Sequence, residues 1–390
     1  MFKVHCMNVI AKVGTDQLGD NYELVDSLDD ANAIMVRSAK LHDTVFPESL
    51  LAIGRAGAGV NNIPLDRCAD EGIVVFNTPG ANANSVKEAV IAALLMASRD
   101  YVGGVEWVRE NSDDPDIGKS AEKAKKQFAG NEIAGKTIGV VGLGAIGALV
   151  ANAARSLGMK ALGYDPYLSI KAAWSLDRHV KHVTNLDDVL TGSDFVTIHV
   201  PAMPSTKGMI GRDQIAKMRD GVIFLNFSRD SLVDEQAMAE ALEDGHVACY
   251  VTDFANSVSA NMKNSIVFPH LGASTDEAED RCAIMAAKEL KDYLENGNIV
   301  NSVNFGEVDL GPIMADARVA VFHKNVPNMI GNITSILSDA GVNIENMTNK
   351  SKGEHAYTLI EVTGSVSQEA ADRIAAIEDV IRVRVIEAAK

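Results

Sequence analysis

The chain has 390 residues, 47% of them hydrophobic and 23% charged, with a formal net charge of −17. That length suits two or three domains. So acidic a surface repels nucleic acid and anionic lipid, yet leaves room for a small anionic substrate in a locally basic pocket. Cys6, Cys68, Cys249 and Cys282 are scattered without a C-x-x-C pair, which argues against a disulfide framework or a zinc site and for no bound metal. Met1–Ile10 reads as a short strand rather than a leader, and no apolar run reaches the roughly 20 residues of a membrane span. The expectation is a soluble, cytoplasmic protein.

In chain order, Ala33–Arg37, Leu51–Arg55 and Val74–Asn77 read as buried strands of a parallel sheet. Ser85-Val-Lys-Glu88 has the spacing of a helix capping box before the apolar run Val90–Met96. From Lys136 a stronger alternation begins, with strands at Thr137–Val141, Ala161–Tyr164, Phe195–Val200, Val222–Asn226 and Cys249–Thr252. Strand and helix alternating in this way predict a doubly wound sheet. A second capping box, Ser274-Thr-Asp-Glu277, opens a long helix that Asn296-Gly297 ends, and Ile299–Phe305 is placed to return to the first sheet. The fold class is therefore α/β with two doubly wound parallel-sheet lobes. Residues 1–97 and 284–306 form a discontinuous substrate-binding lobe and 98–283 a dinucleotide-binding domain, with the active site in the cleft between lobes. After a linker at Gly306–Ala315, residues 316–390 follow the order βαββαβ, a ferredoxin-like layout forming a separate unit.

The sharpest motif is Gly142-Leu-Gly144-Ala145-Ile146-Gly147, between the strand that ends at Val141 and a helix over Ala145–Leu157. The first glycine makes a tight turn, the second lets backbone approach a pyrophosphate, and the third packs helix on strand. Asp165 ends the next strand, eighteen residues after Gly147. A carboxylate there accepts from an adenosine ribose and repels a 2′-phosphate, so the cofactor is expected to be NAD.

With Gly142–Gly147, the segments Asn226-Phe-Ser-Arg-Asp230 before Val233-Asp234, and Pro269-His-Leu-Gly-Ala-Ser-Thr275, follow in the order found in the D-isomer-specific 2-hydroxyacid dehydrogenases. The chain resembles that family over nearly its whole length, and its phosphoglycerate-oxidising members with an ACT tail most of all. Hydride transfer at such a substrate needs a cation for the carboxylate, a proton carrier and a nicotinamide. Arg229 follows a core strand and offers a two-point fork, with a surface ion pair as the competing reading. His270 sits in a loop and can carry the proton, the competing reading being a helix-start hydrogen bond. His199 reads as structural or cofactor-adjacent. The resemblance implies a glutamate partner for the histidine, but Asp253-Phe-Ala-Asn-Ser-Val258 has none near Ser257. Another acid stands in, or His270 works unpaired. The resemblance also gives Asp253 to the nicotinamide amide, against the plainer reading of a strand-end cap.

Arg37, Ser38 and Asn82 match substrate-contacting positions of the phosphoglycerate-oxidising members, and Arg37 and Arg55 are candidates for a phosphate. Gly57, with Gly59, could expose N–H groups as a small anion nest. Structural salt bridges are the competing reading for both arginines. In the tail, the resemblance assigns His323, Asn325 and Asn343 to an L-serine effector, with simple capping of the Pro327 helix by Asn325 and Asn328 as the alternative. The implied activity is NAD-dependent oxidation of 3-phospho-D-glycerate in a homodimer or homotetramer. A hydroxypyruvate/glyoxylate or D-lactate substrate, and a catalytically weak NAD-sensing scaffold, are the alternatives.

Overall fold

The structure, a computed structural model, describes residues 1–388. The last two positions of the expected tail, 389 and 390, lie outside the described residues. Strands β1 (Phe2–Cys6), β2 (Tyr22–Val25), β3 (Ala33–Val36), β4 (Ala52–Arg55) and β5 (Val74–Phe76) form an all-parallel sheet in the order β2-β1-β3-β4-β5. Helices α1 (Ala83–Ser98) and α2 (Tyr101–Glu110) follow. Then come β6 (Thr137–Val141), α3 (Ala145–Ser156), β7 (Lys160–Tyr164), β8 (Lys181–Val183), β9 (Phe195–Ile198), β10 (Val222–Asn226), β11 (Val247–Thr252) and β12 (Ser265–Val267). Their seven strands are also parallel, in the order β12-β11-β10-β9-β6-β7-β8. Both orders are doubly wound and reverse direction at a switch point, between β1 and β3 in one sheet and between β6 and β9 in the other. All-parallel sheets bury both faces, and the contiguous apolar runs of β3, β5 and β9 are buried along their whole length.

Helix α4 (Asp276–Asn296) leads to the C-terminal elements β13 (Ala317–Lys324), α5 (Met329–Asp339), β14 (Asn343–Lys352), β15 (His355–Thr363), α6 (Gln368–Ala375) and β16 (Val380–Glu387). Their sheet is antiparallel, ordered β14-β15-β13-β16, the ferredoxin-like arrangement. No helix of the described residues is long and apolar enough to cross a membrane.

The chain divides into two compact units, one of Met1–Asn82 with the described residues from Glu279 on, the other Ala83–Ala278. Two boundaries differ from those read in the sequence. Helix α1 belongs to the second unit, because Val86, Val90 and Leu94 share a buried cluster with Ile138, Val140, Ala151 and Leu225. The C-terminal sheet is not separate from the first lobe. Along β13 the side chains alternate: Val319 and Val321 pack with Ile333, Leu337 and Ile374 of its own helices, whereas Ala320 and Phe322 join Tyr357, Leu359, Phe76, Leu290 and Tyr293 in the lobe's core.

The expected linker at Gly306–Ala315 is pinned down. Arg318, with no exposed surface, reaches the carbonyls of Leu310, Gly311 and Pro312 at 3.1, 2.8 and 3.0 Å and pairs with Glu361 at 3.0 Å. A buried guanidinium is tolerated only when its donors are satisfied in this way. The segment after α4 returns to the first sheet, where Asn304 bonds the N–H of Val75 at 2.9 Å and the carbonyl of Ile73 at 2.8 Å.

Both capping boxes shift. Ser85 lies inside α1, buried, and its hydroxyl donates to the Gly272 carbonyl at 2.9 Å. Thr275 rather than Ser274 caps α4, accepting from the N–H of Ala278 at 3.2 Å.

Candidate active site

In the second unit the residues singled out in the sequence stand at the carboxyl ends of parallel strands. Gly142 follows β6 at the switch point, with φ +89°, and a Cβ there would lie 2.7 Å from the His199 carbonyl oxygen. A Cβ on Gly147 would overlap the Gly142 carbonyl, while Gly144 faces open space. Gly144 is the N-cap of α3 and no side chain caps the helix. First-turn N–H groups thus meet a cradle free of side chains, with exposed Ala145 at its rim and Ile146 turned toward the core. That fits a dinucleotide pyrophosphate. Asp165 follows β7, and its carboxylate accepts from the N–H groups of Leu143 at 2.9 Å and Tyr167 at 2.8 Å, which ties the acid to the glycine turn. His199, after β9, bonds Thr197 through Nε2 at 2.9 Å, and its buried Nδ1 has no partner among the described residues. Burial pushes its pKa down to about 3, so the ring stays neutral beside the cradle.

Arg229 lies three residues beyond β10 and is exposed. Asn226, fully buried, holds that turn: its Nδ2 donates to the Arg229 carbonyl at 2.8 Å and its Oδ1 accepts from the Ser228 N–H at 3.1 Å. Sequence reasoning passed over Asn226, although an Asn followed by a turn is a readable Asx signal. His270 lies three residues beyond β12 in the left-handed region, φ 60°, with its ring edge-on to Phe254 at 5.1 Å between centroids. Among the described residues no carboxylate bonds the His270 ring. In the loop where a glutamate was expected, Asn256 instead donates to the Glu235 carboxylate at 2.8 and 3.1 Å. Asp253 follows β11, is 2% exposed, and accepts the N–H groups of Leu271 at 2.7 Å and Gly272 at 2.8 Å.

In the first unit, Arg37 and Ser38 follow β3, Arg55 ends β4, and Asn82 immediately precedes α1. Arg37 pairs with Glu279 at 2.5 Å. The N–H groups of Arg37, Ser38 and Ala39 converge on Asn8 Oδ1 at 3.2, 3.0 and 2.9 Å. That convergence is a backbone nest at residues 37–39, one strand away from the nest expected at Gly57 and Gly59. Gly57 has φ +148°, and the Arg55 guanidinium lies where its Cβ would stand.

The expected effector residues do not converge within one chain. The His323 ring is turned inward, 2% exposed, with Nδ1 donating to the Lys324 carbonyl at 2.8 Å and Nε2 on Thr358 Oγ1 at 2.9 Å. Both ring nitrogens are thus engaged within the chain. Asn325 lies just past the end of β13 that pairs with His355, whereas Asn343 pairs with Thr363 at the other end of the sheet. At about 3.3 Å per residue the two are roughly 30 Å apart.

A family model described as D-isomer specific 2-hydroxyacid dehydrogenase, NAD binding domain, matches residues 91–272. The D-3-phosphoglycerate dehydrogenase of Escherichia coli K12 is 33% identical over 386 residues, covering 94% of this chain and 90% of that protein. The enzyme of that name from Methanocaldococcus jannaschii is 34% identical over 333 residues, covering 82% of this chain, and the match takes in only 60% of the relative's length. The crystal structure of NAD⁺-bound 3-phosphoglycerate dehydrogenase from Entamoeba histolytica superimposes with a TM-score of 0.62 at 25% identity, covering 78% of this chain and 98% of that one. With a relative similar along almost its full length, and with the glycine cradle, Arg229 and His270 on one sheet edge, the chain belongs to the D-isomer specific 2-hydroxyacid dehydrogenase family.

Proposed function

We propose that this protein oxidises 3-phospho-D-glycerate to 3-phosphohydroxypyruvate with NAD, in the cytoplasm, as a step toward L-serine. The observation that supports it most is the shared carboxyl edge of the seven-stranded sheet, from which the glycine cradle, an arginine and a histidine all rise. The names of the relatives point to the phosphorylated substrate. When bound, the nicotinamide accepts hydride from the carbon that bears the hydroxyl. His270 takes the hydroxyl proton as the carbonyl forms, and returns it in reduction. Arg229 holds the carboxylate and polarises the carbonyl oxygen. Gly142, Gly144 and Gly147 seat the pyrophosphate, Asp165 selects NAD through the adenosine ribose, and Asp253 borders the nicotinamide side. Arg37, Ser38, Arg55, Gly57 and Asn82 hold the phosphate end.

The C-terminal βαββαβ unit serves as an ACT domain. L-serine is the effector of that unit in this reading, with His323 and Asn325 of one copy and Asn343 of a second holding it. A homo-oligomer is favoured by α2, which buries none of its residues and leaves Tyr101, Val105 and Val108 about half exposed.

The test is turnover with 3-phosphohydroxypyruvate, hydroxypyruvate, glyoxylate and pyruvate under NADH, beside Arg229→Ala and His270→Ala. The expected result is a preference for the phosphorylated acid of at least a hundredfold in kcat/KM, with each variant reducing kcat about 10²–10⁴-fold. Equal turnover of the unphosphorylated acids moves the substrate assignment, and unchanged rates in both variants remove the enzyme reading.

A further inference from the structure

The His270 loop is held from below. A histidine in the left-handed region is strained and persists only where its surroundings over-determine it. The fixings lie on either side of it. Before it, Phe254 bridges Pro269 and sets its ring edge against the imidazole. After it, the two oxygens of the buried Asp253 carboxylate each take one backbone N–H, Oδ1 that of Leu271 and Oδ2 that of Gly272. Ser85, from α1, donates to the carbonyl of the same Gly272. A Cβ on Gly272 would lie 2.8 Å from Asp253 Oδ2, so the glycine is the residue that lets the carboxylate approach. The ring has no carboxylate partner among the described residues, so its orientation is imposed through the backbone.

We propose that Asp253 is a positioning residue, a two-point backbone clamp that fixes where His270 presents its ring. This replaces the cofactor role given to Asp253 above with a positioning one and rests on His270 being the proton carrier. A cofactor contact and a loop clamp predict different losses. Removing a contact to the nicotinamide amide weakens NAD. Removing the clamp leaves NAD seated and misplaces the imidazole.

The experiment uses the full chain with Asp253→Asn, which keeps one acceptor oxygen, and Asp253→Ala, which keeps none. It records kcat, KM for NAD, the pH profile of kcat, and amide hydrogen exchange across residues 268–275. The clamp predicts a graded fall in kcat, about tenfold for Asn and at least a hundredfold for Ala. KM for NAD stays within twofold, the kcat profile shifts along the pH axis, and exchange at Leu271 and Gly272 speeds at least tenfold. Gly272→Ala, which presses on the same carboxylate from the other side, reproduces the kinetic pattern and serves if the Asp253 variants do not fold. A tenfold rise in KM for NAD with exchange at Leu271 and Gly272 unchanged overturns the proposal. The exchange arm reads the clamp without turnover. A His270→Gln variant of full activity therefore defeats the proton-carrier reading even where the exchange result supports the clamp.

Discussion

Asn226 and Glu279 show how much of the site depends on neighbours of the reacting residues. Asn226 donates to the carbonyl of Arg229 and accepts from Ser228, which fixes the backbone from which the exposed guanidinium extends. Asn226→Ala should cut kcat/KM for the 2-keto acid by about 10–100-fold while NAD binding holds. Steady-state kinetics beside an NAD titration check this. Glu279 stands on Arg37 at 2.5 Å, where it competes with any incoming anion. Both side chains are partly exposed, and such pairs are worth about 1 kcal/mol or less. Glu279→Gln should accordingly lower KM for the phosphorylated substrate about two- to fivefold without changing kcat, and the gain should shrink as salt is raised. Neither partnership was read from the chain order. Arg37 and Glu279 are far apart in sequence, and only Asn226, local to its turn, carried a signal that could have been read.

At the scale of the element, local chemistry was readable and distant chemistry was not. The glycine turn and the buried strands β6 and β10 follow from side-chain type alone, because a tight turn and a doubly covered strand each need particular residues. The short edge strands β8 and β12, only partly buried, lack the apolar run that marked the equally short β5. Ser85 has the spacing of a cap, yet its hydroxyl is used by Gly272, 187 positions away. On α4, burial raises the pKa of Glu289 from 4.5 to about 8; Asn301 bonds Oε1 at 2.7 Å, while Oε2 is buried without a partner among the described residues. The folded chain then holds a proton that the unfolded chain releases, so Glu289 erodes stability as pH rises from 4.5 through about 8. Glu289→Gln should flatten that decline and raise Tm at pH 8 by about 2–4 °C, with little change at pH 5. Thermal melts across that range measure it.

For the whole molecule, the order of glycine cradle, arginine loop and histidine loop was enough to give the family, because those motifs answer to chemistry each carries locally. The placement of the C-terminal sheet was not readable. β13 is buried along nearly all its length, and its place as the first strand of the βαββαβ order was readable, but which alternate residues meet their own helices and which meet the lobe depends on partners far away. A truncation ending at residue 315 should therefore not behave as an intact enzyme freed of its tail. It uncovers Phe76, Leu290 and Tyr293. The expected outcome is a Tm at least 10 °C lower and a tendency to aggregate, read by melting curves and light scattering.

Arg318 has one more consequence. By seizing three successive carbonyls of the connecting segment, it removes the slack that a tether would need. The terminal sheet cannot swing on a leash relative to the five-stranded one. A force applied to it, by a second copy or by a small molecule on its rim, is passed on as through a rivet to the end of α4, where Arg318 also holds the carbonyl of Asn296.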